Sequence, residues 1–137
     1  MAISGMASTF KFTPAAGSET TLGKATSIGE VAVTSNDIDA TTLDSTAAWR
    51  EYIQGSRDGG EIALSCIHLK TDTGQVALRT AFASGVLCAC VVTLPDTVHV
   101  DFSAYVKGWS IGPAEIDTAA TFNATLKITG AVTVVVP

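Results

Sequence analysis

Residues 34–62 read TSNDIDATTLDSTAAWREYIQGSRDGGEI and hold six of the chain's thirteen acidic residues, Asp37, Asp39, Asp44, Glu51, Asp58 and Glu61, beside two arginines, Arg50 and Arg57. Carboxylates and hydroxyls at this density suggest a cation site first. Asp37, Asp39 and Thr41 match the first alternating ligands of a calcium-binding EF-hand loop, but Thr42 stands where the loop's sharp turn needs glycine and Ala48 where a bidentate glutamate is required. Aspartate and threonine also bind backbone amides in loops, and that use fits here without a metal.

A second candidate chemistry is zinc binding. Cys66 and His68 share one strand face and Cys88 and Cys90 another, so two adjacent strands could bring four soft ligands together. Structural zinc sites usually take ligand pairs from a tight knuckle, whereas both pairs here lie at strand spacing inside apolar runs, where a cysteine behaves as a small hydrophobe. The odd number of cysteines, without a disulfide framework, predicts free thiols. Nucleophilic catalysis has less to build on: GSRDG is not a G-x-S-x-G elbow, and neither His68 nor His99 has a neighbour in sequence that marks a triad. Phosphate-cradling loops are missing too, and Gly59 and Gly60 read as a turn into the strand that opens at Glu61. The expectation is a protein with no catalytic residue, no cofactor and no metal.

The elements that must position these residues follow from the hydrophobic pattern. At 137 residues, 47% of them apolar and 15% charged, the chain suits one domain with ample burial. Period-two alternation dominates from Glu61 onward. Ile62, Leu64, Cys66 and His68 fall on one face of a first strand, and Val98, Val100, Phe102, Ala104 and Val106 on one face of a second. Phe122, Ala124, Leu126 and Ile128 alternate with a threonine-rich outer face in a third, while STFKF and IGEVAVT read as shorter strands upstream. One segment departs from this period. Over residues 73–84, Ala77, Leu78, Ala81 and Phe82 form a stripe at helical spacing, with Thr71, Asp72 or Thr73 able to cap the start and Gly85 the end. So short a helix needs a sheet to dock on, and Leu78 and Phe82 are the expected contacts. Residues 34–60 show neither period and predict a long loop that binds something. Trp49, Tyr52 and Ile53 are too apolar for a solvated linker and should pack on this subunit or on another.

Net charge excludes some partners. The balance is −5 and the eight bases are scattered, so no basic patch is available to displace counterions from a nucleic acid. No apolar run approaches the ~20 residues that span a bilayer, and the N-terminus shows no secretory pattern, so membrane insertion is not expected and folding in a cytoplasm is.

The order DIDATTLDS, REYIQGSRDGGEI opening a strand, QVALRTAFASG as a short helix, VTLPD, and a terminal KITGAVT resembles the major tail tube proteins of long-tailed, non-contractile, lambda-like bacteriophages. Members of that family carry D-x-T-x-x-D-S, R/K-E-Y-I-x-G-x-x-D-x-G-E and K-x-T-G segments in this order; the match covers residues 28–133 and departs at SCIHLKTD, where the approach to the helix is shorter and less acidic. The resemblance implies a mainly β fold, a tail-tube-type β-sandwich with one short flanking helix and a long assembly loop. It implies one domain over residues 1–137, with an N-terminal arm and first strand in 1–27, the inter-strand loop in 34–60 and the helix in 73–84.

It also implies a structural virion protein, made in the host cytoplasm, whose homo-hexameric rings stack into a hollow tube. Tail tip or initiator complex, tape measure and tail terminator proteins would be its partners, and DNA would cross the lumen without specific binding. The loop, with Asp37, Asp39, Asp44, Trp49, Arg50, Glu51, Tyr52, Arg57, Asp58 and Glu61, would be the subunit interface, its surplus carboxylates meeting cations of a neighbour. Ring closure would consume exposed sheet edges, and a neutral or negative lumen would let a polyanion slide. The competing expectation is a small ligand-binding β-sandwich in which the Trp49 and Tyr52 loop caps a pocket.

Overall fold

Alternating burial marks most of the longer strands over much of their length, and the strands that carry it close around one core. In the computed structural model, which describes residues 4–14 and 19–137, the strands are β1 Thr9–Pro14, β2 Thr20–Thr21, β3 Ala25–Ile28, β4 Thr34–Asp39, β5 Tyr52–Asp58, β6 Glu61–Ile67, β7 Cys88–Thr93, β8 His99–Ile111 and β9 Thr121–Val135. One α-helix, α1 Thr73–Ser84, lies between β6 and β7. Part of the expected arm in 1–27 lies outside the described residues.

Seven strands form one antiparallel sheet in the order β2-β1-β7-β8-β9-β6-β3, while β4 and β5 form a separate two-stranded hairpin. The large sheet curls until β1 and β3, near its opposite ends, come into contact. Its concave face supplies Phe10 and Phe12 from β1, Ile62, Leu64 and Cys66 from β6, Cys88, Cys90 and Val92 from β7, Phe102, Ala104 and Val106 from β8, and Phe122, Ala124, Leu126 and Ile128 from β9. These side chains make one cluster with Leu22 and with Leu78 and Ala81 of the helix. The expected mainly β fold with one flanking helix is present, and each fully buried Phe, Leu or Ile contributes about 1.5–3 kcal/mol by leaving water.

The helix has the expected bounds but a rotated face. Asp72 caps it by accepting the Gln75 N–H at 3.1 Å and also accepts the Gly23 N–H at 3.2 Å, while Gly85 ends it in the left-handed region at φ 68°. The buried stripe is Gly74, Gln75, Leu78 and Ala81, and Phe82, expected to dock, is 45% exposed. Gln75 explains the rotation. Its side-chain amide donates to the Ile67 carbonyl at 2.9 Å and accepts the Leu69 N–H at 3.1 Å, satisfying backbone groups at and just past the end of β6 and drawing that flank of the helix onto the sheet. Replacing Asp72 by alanine removes the acceptor for two N–H groups and is expected to cost about 1–2 kcal/mol, read as a lower urea midpoint, with Asp72→Asn recovering most of it. An unshifted midpoint in Asp72→Ala would contradict the capping role.

Two expectations upstream need correction. IGEVAVT is not a strand: β3 ends at Ile28, the chain leaves β6 where the Gly29 N–H meets the Ala63 carbonyl at 2.7 Å, and β4 begins only at Thr34. Nor is 34–60 an irregular loop, because most of it is the β4–β5 hairpin. Every residue of β4 and all of β5 except Gly55 are exposed, so no one-sided burial imposes an apolar period on the sequence.

Candidate assembly surface

The hairpin register sorts its side chains onto two faces. Ile38 pairs with Ile53, placing both on one face with Gly55 beside Ile38; Asp37 pairs with Gln54 and Asp39 with Tyr52 on the other. Neither face is covered by the subunit's own core. Polar groups close the turn instead. Thr41 donates its hydroxyl to the Glu51 carbonyl at 3.3 Å and accepts the Glu51 N–H at 2.8 Å, while Ser45 donates to the Glu51 carboxylate at 3.0 Å and accepts the Thr42 N–H at 3.0 Å. Arg50 pairs with Asp39 and lies over the Tyr52 ring, 5.9 Å from its centroid. Trp49 projects from this turn at 74% exposure, and Leu43 is fully exposed.

The hairpin joins the sheet at Gly59 and Gly60. A side chain at Gly59 would meet the Ile128 methyl at 2.5 Å, and Gly60 takes φ 75°, so this junction admits little but glycine. The Gly60 carbonyl accepts the Ile128 N–H at 3.0 Å. On either side stand two ion pairs, Asp58 with Lys127 at 3.5 Å and Glu61 with Lys107 at 2.6 Å.

These contacts set the acid–base behaviour of the junction. The Gly60 N–H, then Lys127, holds Asp58 below its ordinary value of 3.8; the Lys107 hydrogen bond holds Glu61 below 4.5; Thr41, through hydroxyl and N–H, and then Arg50 hold Asp39 below 3.8. Lys107 is raised in turn by Glu61. A lowered carboxylate pKa contributes stability that is present above the ordinary value and lost as pH falls through the folded one. The raised Lys107 contributes below its ordinary value and loses that contribution as pH rises through the folded one. The junction is therefore expected to stay intact across neutral pH. Carboxyl NMR should place the midpoints of Asp58 and Glu61 below 3.8 and 4.5, with Lys107→Ala moving that of Glu61 upward.

Of the predicted interface residues, the fold thus pairs Asp39 with Arg50, Asp58 with Lys127 and Glu61 with Lys107, and Arg57 donates to the Gln54 side chain at 3.2 Å. Asp37 and Asp44 have no hydrogen-bonding or ionic partner for their carboxylates among the described residues. Sequence reasoning missed Lys107 and Lys127 because they lie on strands 46 and 69 residues from their partners. It also missed the shared face of Ile38 and Ile53, which only the hairpin register creates.

Among the described residues, the zinc and pocket-capping alternatives do not find the geometry they need. β6 and β7 are separated by β8 and β9, so Cys66 and His68 do not join Cys88 and Cys90. Burial pushes the Cys66 thiol to about 11 and the Cys90 thiol to about 12, which keeps both protonated and poor as ligands or nucleophiles. The cleft beside the hairpin is lined by residues 55–59 and 128–131 and the groove beside α1 by residues of β1, β2 and the helix, so Trp49 and Tyr52 cap neither.

The model of the lambda phage tail tube protein family matches residues 7–134. The chain belongs to that family. As a tail tube protein it is a structural component of the virion, builds a tube from copies of itself, and is not an enzyme. Solved structures share its fold. The tail of an empty gene transfer agent particle with C6 symmetry is 20% identical, with 98% of this chain and 100% of that chain covered at a TM-score of 0.79. The SPP1 tail tube is 18% identical over 97% of this chain and 78% of that chain at 0.69. A chain of the anti-feeding prophage baseplate is 8% identical over 98% and 95% at 0.74. No curated protein sequence matches this chain.

Proposed function

We propose that six copies of this tail tube protein close into a ring, that rings stack into the tail tube, and that the β4–β5 hairpin is the element through which neighbours grip one another. The observation that carries this reading is the hairpin itself: it projects from the sheet with Ile38, Trp49, Tyr52 and Ile53 exposed, an apolar surface that gains free energy when a partner takes it out of water. The C6 symmetry of the gene transfer agent tail supports the sixfold ring. DNA passes along the lumen without specific binding, consistent with a net charge of −5 and with Lys107 and Lys127 both neutralised by the subunit's own acids. Tail tip or initiator, tape measure and tail terminator proteins would bound the tube, and assembly would occur in the host cytoplasm. Electron microscopy of the purified chain tests the core of this: rings or tubes are expected, and a monodisperse monomer at every concentration, with or without tail tip components, overturns it.

A further inference from the structure

Three adjacent strands, β6, β9 and β8, turn one face away from the core. Buried residues alternate along Glu61–Ile67, along residues 121–129 and along residues 101–107, so the residues between them share the outward side. The helix and the buried cluster lie on the other side of these strands. Short side chains dominate the outward face, as at Ala63, Ser65, Asn123, Thr125 and Ser103. Its large apolar side chains are few: Ile67 is 42% exposed and Tyr105 43%.

The polar groups of this face are paired with one another. The β8–β9 pairing slips between Val106 and Gly108, which leaves Lys107 on the outward side, and its ammonium reaches across β9 to Glu61 at 2.6 Å. Lys127 stands directly opposite Glu61 on one side and Tyr105 on the other, and meets Asp58 at 3.5 Å. From Lys107 through Glu61 and Lys127 to Asp58 the charges alternate in sign. Asp101, nearer the start of β8, holds the His99 ring at 2.8 Å. Uncharged groups behave alike: the Ser65 hydroxyl donates to the Asn123 side-chain carbonyl at 2.9 Å, the Asn123 amide to the Thr121 hydroxyl at 3.3 Å, and that hydroxyl to the Gly112 carbonyl at 2.7 Å. The other six of the chain's eight bases lie outside these three strands.

We infer that the outward face of β6, β9 and β8 is the surface that passing DNA meets, and that the Lys107–Glu61–Lys127–Asp58 network keeps its two lysines from gripping the phosphates. This inference rests on the stacked-ring reading. Proteins hold phosphates through unpaired cations and through free hydroxyl and amide donors. Here a phosphate that takes either lysine must break an ion pair and leave a carboxylate facing a polyanion. Without the acids, two lysines per subunit, repeated around every ring, would release counterions from the duplex and hold it. An interface between subunits calls for a larger apolar centre.

Unmasking the lysines tests it in the assembled protein. Glu61→Gln with Asp58→Asn removes both ion pairs while keeping side-chain shape and an acceptor for the Gly60 N–H. Glu115→Gln with Asp117→Asn makes the same change in net charge in the β8–β9 loop, away from the face. Tubes are assembled with a short DNA duplex, washed and treated with nuclease. Glu61→Gln/Asp58→Asn tubes are expected to retain at least about tenfold more DNA than wild-type or control tubes, protected from nuclease and released as salt rises from about 50 to 200 mM. Thr129→Lys adds an unpaired cation at an exposed position of the same face, opposite Ser103, and should give the same result even if the double variant melts early. The inference alone is overturned by tubes of both variants that retain no DNA, by equal retention in the wild type or the control, by retained DNA that nuclease removes, which puts the face outside the tube, or by loss of tubes at unchanged melting temperature, which buries it between subunits. Failure of the wild-type chain to form rings or tubes overturns the stacked-ring reading and this inference with it.

Discussion

Replacing Phe122 by alanine is expected to lower the unfolding free energy by about 3–5 kcal/mol, a large part of the 5–15 kcal/mol typical of a domain this size. Phe122 is 1% exposed, stacks against Trp109 and stands opposite both Cys66 of β6 and Ile111 of β8, so removal of the ring leaves a cavity where three central strands meet. Its neighbours are held by sheet registers and cannot collapse into the space. Phe82→Ala is the matched control: the same atoms are removed from a half-exposed helix position, and the cost should stay below about 1 kcal/mol. Urea denaturation followed by circular dichroism reads both. Equal midpoint shifts in the two variants would mean that the helix docks through Phe82 after all.

The double variant Trp49→Ala/Tyr52→Ala should do the opposite, abolishing tubes while sparing the fold. Both rings lie on the hairpin, 74% and 56% exposed, and neither touches the buried cluster, so their loss opens no cavity. Aromatic side chains of this kind dominate the energy of the interfaces they anchor, where truncation commonly costs 2 kcal/mol or more, and a tube repeats the loss at every subunit. Wild-type melting together with an absence of tubes by electron microscopy is the expected result. Normal tubes from the double variant would sink the hairpin's role in assembly, and an unfolded product would place the rings in the subunit's own core.

The single helix and the strands after Glu61 were legible in the sequence because one face of each is buried, and burial on one side writes a period into the residue order. The helix end was legible from Gly85 and its start from Thr71, Asp72 and Thr73, whose capping chemistry is local; the structure selects Asp72 among the three. The family was legible from the ordered segments that include DATTLDS, REYIQGSRDGGE and KITG. The hairpin was not, since its strands bury neither face within the subunit and so carry no period. IGEVAVT read as a strand from its alternation alone, although its partner β6 takes up Ala25–Ile28 instead. Which way the helix faces was decided by Gln75, a polar residue whose burial depends on two backbone groups around the end of β6 that no helical pattern reveals. The pairing of Glu61 with Lys107 and Asp58 with Lys127 depends on which strands lie side by side and in what register. Sequence determines periodicity and caps, which are properties of neighbours along the chain; charge partners and open surfaces belong to neighbours in space, and only the folded sheet brings those together.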